Sequence, residues 1–302
     1  MCVFRLHQFF FASSFPLVKA APLGKSRAGA KAWQGGHVAL RGWGQYKTEM
    51  IRWRPLPDLA DYTATVAMMD QEVEALLAAR KRREQRLAEQ SAPIFSNAAP
   101  TIPTVQEILT ATEFAPTAES AADHQIWLLE HPPLYTAGSS ARSEELLNPG
   151  DLPVYPTGRG GKYTWHGPGQ RIAYLLLDLK DLHGGQPDLK SFVRMLEDWL
   201  IRAIGLLGVQ GYRRDGQIGV WVDRPSPTGA IQPAKIAAIG VRVRQWVSSH
   251  GIALNVHNNL LSYQGIIPCG IHGAGVTSLH DLGVMVGMDE VDGALKAAWQ
   301  IP

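Results

Sequence analysis

The chain has 302 residues, 45% of them hydrophobic and 19% charged, with a formal net charge of +2. That length admits one large domain or two ordinary ones and needs no staples to fold, and the balance excludes wholesale disorder. No run of about 18 apolar residues occurs, which excludes a transmembrane helix; the two cysteines, Cys2 and Cys269, make neither a disulfide framework nor a CxxC zinc spacing, so a reducing, cytosolic setting is the simplest reading.

Charge is unevenly spread. Residues 1–49 hold Arg5, Lys19, Lys25, Arg27, Lys31, Arg41 and Lys47 against Glu49 alone, a net of +6, so residues 50–302 carry −4. A body of that sign argues against a general nucleic-acid binder. The first 49 residues also hold an apolar stretch from Phe9 to Val18, followed by small and basic residues. They read as an N-terminal extension, either a targeting peptide cut near Ala20-Ala21 or a start assigned ahead of the true one at Met50. The abrupt onset of ordinary globular sequence after Met50 favours the second.

Asp61 to Arg82 has helical periodicity, with Val66, Met69, Val73, Leu76 and Leu77 forming one core-facing stripe. Lys81 to Arg86 reads as its solvated end. Residues 91–123, rich in Ala, Pro, Thr and Ser, read as a mobile insertion, which we place near 84–123. Ile126–Leu129 and Ile172–Leu177 are buried-strand candidates. Asp188 to Leu207 is the clearest helix, with Asp188 as its cap and Gly208 as its stop. Ile218–Val222, the alternating Val241–Arg244 and Ile252–Val256 read as strands, and Asp289–Trp299 as a terminal helix. The mixture predicts an α+β fold around one mixed β-sheet with flanking helices.

The densest chemical signal runs from Arg159 to Gln170. Gly158, Gly160, Gly161, Gly167 and Gly169 let the backbone approach a ligand, and Arg159, Lys162 and His166 add donors. A strand candidate follows at once and anchors the loop. No GxxxxGK[ST] occurs, so the phosphate-binding P-loop signature is missing. Cys269 stands between Pro268 and Gly270, where a turn can present its sulfur; a thiol with an ordinary pKa of about 8.5 needs help to react at neutral pH, and Lys235, His250 or His272 could give it. On spacing alone, a small buried hydrophobe is as good a reading of Cys269. Lys235 heads the apolar run Ile236–Gly240. It is either a solvated strand end or the group that favours the thiolate. His250–Asn255 is a further cluster of small and polar residues.

Together these segments resemble the octanoyltransferase family of lipoate biosynthesis. Its RGGxxT[YW]HGPGQ motif stands at Arg159–Gln170, its KIx[SA][IL]G motif at Lys235–Gly240, its HGxAxNV motif at His250–Val256 and its PCG motif at Pro268–Gly270. The four occur in family order, a highly specific match. It covers about residues 50–302 apart from the insertion. Trp165 stands where tyrosine is common and Ala238 where serine is common.

The resemblance implies the fold of biotin/lipoate protein ligase catalytic domains, related to class II aminoacyl-tRNA synthetase cores. It implies a cytoplasmic acyltransferase, with no cofactor and no metal, that takes an octanoyl group from octanoyl-acyl carrier protein. Cys269 would carry the group as a thioester, with Lys235 as its acid/base partner. The acceptor would be a lysine on the lipoyl domains of 2-oxoacid dehydrogenase complexes or on glycine cleavage H protein. Arg159, Gly160, Gly161, Lys162, Tyr163, Thr164, Trp165 and His166, with Ala238, Ile239, Gly240, Gly251, Ile252 and Ala253, would line the acyl and pantetheine pocket. No nucleic acid or membrane partner is implied. The rival readings are an ATP-dependent lipoate or biotin protein ligase, a non-catalytic lipoyl-domain-binding module, and a cysteine hydrolase using His250 or His272 as base.

Overall fold

Ile51–Pro55 (β1) is the first described element of the protein, seen in a computed structural model that describes residues 51–57, 59–90, 124–182, 186–225, 229–267 and 275–299. The N-terminal extension, the Ala/Pro-rich segment 91–123 and the Pro268–Gly270 motif lie outside the described residues. Helix α1 (Tyr62–Gln90) starts at Asp61, whose carboxylate accepts the Ala64 N–H at 2.8 Å, and runs eight residues past Arg82 with every residue from Lys81 onward exposed.

Strands β2 (His124–Leu129), β3 (Leu134–Ala137), β4 (Val154–Pro156), β5 (Tyr163–His166) and β6 (Gln170–Leu176) follow. A short helix α2 (Leu179–Leu182) precedes α3 (Leu189–Leu206), which Asp188 caps through the Lys190 and Ser191 N–H groups. Left-handed Gly208 (φ +83°) follows its end, as the sequence predicts. Then come β7 (Tyr212–Arg214), β8 (Gln217–Pro225), β9 (Ile231–Arg244), β10 (Val247–Asn255), β11 (Gly275–Val276) and α4 (Met288–Ala298).

The main sheet has the order β1-β2-β6-β10-β9-β8-β7, with β11 added alongside β9. The β1–β2 and β9–β11 pairs are parallel and the others antiparallel, which gives the mixed α+β sheet expected. A second sheet, β4-β3-β5, carries the glycine-rich segment.

The central strands are buried on both faces, and their side chains divide by the two-residue period of a strand. Ile126, Leu128, Ala173, Leu175, Ile252 and Leu254 pack with α3 and α4 around Phe192, Leu196, Trp199, Leu295 and Trp299. Trp127, Leu129, Ile172, Tyr174, Leu176 and Ala253 meet Met69, Val73 and Leu76 of α1 on the opposite face. One of these alternations is less clean than the sequence predicts. Val241, Arg242 and Val243 are all half-buried, because α1 crosses the supposedly wet face, with Arg242 and Arg244 reaching Asp70 (3.9 Å) and Glu74 (2.6 Å). Among the described residues no helix is long and apolar enough to cross a membrane.

Candidate active site

Thr136, at the third position of β3, organises the glycine-rich loop. Its hydroxyl accepts from Arg159 Nη2 at 2.7 Å and Nε at 3.3 Å, and its carbonyl accepts from Nη2 at 2.9 Å. The same guanidinium donates to the carbonyls of Gly160 (2.9 Å) and Lys162 (3.0 Å), so Arg159 is buried inside the loop it folds. Backbone bonds sew the loop to its neighbours: Ser139 N–H to Arg159 O, Ser140 N–H to Gly161 O and Gly160 N–H to Val241 O. Lys162 forms an ion pair with Glu145.

This loop roofs a cavity of about 710 Å³. The cavity brings together residues from Arg159 to Thr164, His166, Lys235, Ala238 to Gly240 and His250 to Ala253. Every predicted lining residue lies there except Trp165. Strand alternation turns Trp165 to the other side of β5, where it is 2% exposed and packs on Tyr135, Tyr263 and Ile266. Trp165 therefore supports the loop from behind and does not line the cavity. Gly251 makes the floor possible by close approach: a Cβ there would sit 2.1 Å from the Ala173 carbonyl oxygen.

At one end of the cavity Lys235 is 7% exposed, and its ammonium donates to the Ile218 carbonyl at 2.7 Å and lies 5.1 Å from the Trp221 ring centre. Leu189 and Val193 of α3, with Gly216 to Ile218, complete this end. Lys235 is thus a buried, oriented lysine and not a solvated strand end.

The other end holds groups that no motif marks, Tyr62 and Tyr174, backed by fully buried His131. His131 Nδ1 faces the Ala60 carbonyl at 2.6 Å; a carbonyl only accepts, so Nδ1 carries the proton and Nε2 accepts from the Tyr174 hydroxyl at 2.8 Å. His166 is fixed in a similar way. Its Nδ1 lies 2.7 Å from Gln170 Oε1, while Gln170 Nε2 donates to Asn255 Oδ1 (3.0 Å) and the Tyr263 hydroxyl (2.8 Å). His250 sits in β10 with φ +57°, a strained conformation for a residue with a side chain. Neither of its ring nitrogens has a hydrogen-bond partner among the described residues.

Burial keeps the imidazoles and phenols of this end uncharged. It pushes His166 down to about 3, with His131 and Arg159 adding to the effect, and His250 down to about 4, with Arg159 and Arg242 adding. Burial also lowers His131, drives Tyr174 well above the ordinary phenol range and lifts Tyr62 to about 12. The result is a mainly apolar cavity with the Lys235 ammonium at one end and neutral imidazoles and phenols beside the Arg159 guanidinium at the other. Among the described residues no cluster of three or more His, Cys, Asp or Glu side chains could hold a metal ion.

Cys269 and His272 lie outside the described residues, but the chain on either side of them is anchored at this site. The Ile267 N–H donates to Glu145 O at 2.8 Å, on the partner of Lys162. On the far side, Gly275 and Val276 pair with Ala234 and Lys235.

Comparison with known proteins gives the family. Residues 105–300 match the family model of the lipoyl protein ligase A/B catalytic domain. An octanoyltransferase of Chelativorans sp. is 55% identical over 183 residues, covering 59% of this chain and 73% of that protein. One from Paramagnetospirillum magneticum is 56% identical over 178 residues, covering 59% and 81%. Among solved structures, a lipoate-protein ligase A bound with ATP superposes loosely, at 17% identity and a TM-score of 0.45, over 58% of this chain and 71% of that one. The sequence matches decide the assignment: the chain belongs to the octanoyltransferase family, acyltransferases built on the lipoyl protein ligase A/B catalytic domain.

Proposed function

We propose that this chain moves an octanoyl group from octanoyl-acyl carrier protein to the ε-amine of a lysine on a lipoyl domain, by way of a thioester on Cys269. The acceptors are the lipoyl domains of 2-oxoacid dehydrogenase complexes and glycine cleavage H protein. The observation that carries the reading is the single cavity shared by the Arg159–Thr164 loop, Lys235, Ala238–Gly240 and Gly251–Ala253.

The chemistry closes with these residues. In the resting enzyme Cys269 is a thiolate and Lys235 an ammonium. The thiolate attacks the donor thioester carbonyl, the carrier's sulfur leaves, and Lys235 gives that sulfur its proton. The acceptor's neutral amine then attacks the Cys269 thioester. As the amide forms, Cys269 leaves as thiolate and the amine's proton returns to Lys235. Exchange of thioester for thioester is nearly neutral in energy and thioester to amide is downhill, so no ATP is consumed. Splitting one acyl transfer into two lowers each barrier. The apolar walls at Ile172, Ile239 and Ile252 suit an alkyl chain.

The test is octanoyl transfer to a lipoyl domain without ATP, compared among the parent, Cys269→Ala and Lys235→Met proteins. Transfer by the parent, with loss of turnover in both variants, is expected. Turnover by Cys269→Ala would refute a thioester on this residue, and transfer only when octanoate, ATP and magnesium are supplied would replace this reading with that of a ligase. Octanoate release to water with no acceptor present would replace it with that of a hydrolase.

A further inference from the structure

The Ile218–Gly219 peptide carries bonds from two buried, oppositely charged side chains. Its carbonyl accepts from Lys235 Nζ at 2.7 Å, and its N–H donates to Glu197 Oε1 at 3.0 Å. Glu197 sits on α3, one turn on from the cavity-lining Val193, and is 6% exposed. Its other oxygen is 3.2 Å from Arg213 Nε. A carboxylate on the N–H of a peptide polarises that peptide and strengthens its carbonyl as an acceptor.

The strand is shaped for this link. Gly219 has φ +121°, and the β8–β9 register shifts between Val220 and Trp221. A Cβ at Gly219 would stand 2.6 Å from the Ala237 carbonyl oxygen and 3.1 and 3.2 Å from Cε and Nζ of Lys235. Only glycine leaves the lysine its place. The other charged groups at this end are Arg213, paired with both Glu197 and Asp198, and Arg214, whose guanidinium lies 4.7 Å from the Trp221 ring centre.

We infer that Glu197 is a positioning residue for Lys235: through the Ile218–Gly219 peptide it fixes where the ammonium points and keeps it turned toward the cavity. The inference rests on the proposed role of Lys235 beside Cys269. Its own content is that a carboxylate which touches no substrate sets the lysine's geometry.

The experiment measures the rate of iodoacetamide alkylation of Cys269 at pH 7, resolved from Cys2 by peptide mapping, together with octanoyl transfer and Tm. The proteins are the parent, Lys235→Met, Glu197→Met, Glu197→Gln and the Glu197→Met/Lys235→Met double variant. Methionine keeps the volume of Glu197 without its acceptor, whereas glutamine keeps an oxygen for the Gly219 N–H. Loss of a hydrogen bond to a charged group predicts that Glu197→Met slows alkylation roughly tenfold. Glu197→Gln should recover most of that rate, and the double variant should be no slower than Lys235→Met. If Lys235→Met slows alkylation while Glu197→Met does not, or if Glu197→Met slows it equally in both backgrounds, the positioning role is wrong and the reading of Lys235 stands. If Lys235→Met itself alkylates and transfers like the parent, the reading of Lys235 falls and the inference falls with it. Should Glu197→Met fail to fold, Glu197→Leu takes its place; alkylation slowed in the parent background but not in Lys235→Met supports the link, and any other pattern overturns it.

Discussion

Tyr174 donates its phenolic hydrogen bond to His131. The 2.8 Å bond has that direction because the other imidazole nitrogen is committed to the Ala60 carbonyl at 2.6 Å. Tyr174 is therefore left with oxygen lone pairs to offer and no second proton to donate. A group bound at this end of the cavity meets an acceptor at Tyr174 and a donor at the Tyr62 hydroxyl.

Removing His131 orphans the buried Tyr174 hydroxyl and the part-buried Ala60 carbonyl at once. His131→Ala should cost about 3 kcal/mol or more in urea unfolding, counting the lost packing, whereas Tyr174→Phe, which leaves only His131 Nε2 unpaired, should cost about 1–2 kcal/mol. Equal losses would mean that the bond is not made in solution.

Acid should unfold the protein through its cavity. His166 and His250 are held down to about 3 and about 4, while in the unfolded chain each protonates near the ordinary 6.5. Between those values the unfolded chain binds more protons, so stability rises with pH. The contribution is complete above about 6.5 and is lost as pH falls toward 4 for His250 and toward 3 for His166, with a slope of at most about 1.4 kcal/mol per pH unit for each. Urea unfolding at pH 7, 6, 5 and 4 should follow that decline. His250→Gln should flatten it, and an unchanged slope in that variant would contradict the burial of a neutral His250.

Gly251 cannot accept a methyl group. The added carbon of Gly251→Ala would lie 2.1 Å from the Ala173 carbonyl and 2.3 Å from Leu175 Cδ1, in the pairing of β10 with β6. That backbone cannot yield without breaking the sheet, so a loss of about 3 kcal/mol is expected, at the upper end of overpacking costs. A thermal midpoint within a few degrees of the parent would show that the strands separate more readily than this register implies.

Arg159 acts through its fork. Lysine keeps the charge but cannot serve the Thr136 hydroxyl and the carbonyls of Thr136, Gly160 and Lys162 together. Arg159→Lys should therefore loosen the loop, losing about 2 kcal/mol of stability and raising KM for the acyl donor more than it lowers kcat. Parent-like KM in that variant would mean that the roof of the cavity is held by backbone bonds alone.

The strands and helices that could be read from the sequence are the strongly patterned ones. Ile126–Leu129, Ile172–Leu177 and the capped helix after Asp188 appear with their ends moved by a few residues, because their periodicity and their packing agree. The motif residues were legible as one site only through the family resemblance. Spacing alone could not place Lys235, since a lysine before an apolar run looks the same in solvent or beside Trp221. A motif is written without regard to which strand face each residue takes, so it groups Trp165 with residues that face the other side of β5. Tyr62, Thr136 and Tyr174 went unnoticed because no motif carries them. Tyr174 alone left a trace, since it shares a strand face with Ile172 two residues earlier. His131 left none: its place beside Tyr174 depends on pairing between strands distant in sequence.

The central claim is that the octanoyl group rests on Cys269. The direct measurement is the intact mass of the protein after incubation with octanoyl-acyl carrier protein without ATP, followed by peptide mapping and then by addition of a lipoyl domain. The account predicts an octanoyl adduct on the peptide containing Cys269 that disappears as the lipoyl domain gains the same mass. Transfer to the domain with no adduct on the enzyme under single-turnover conditions, or an adduct that the domain never discharges, would contradict it.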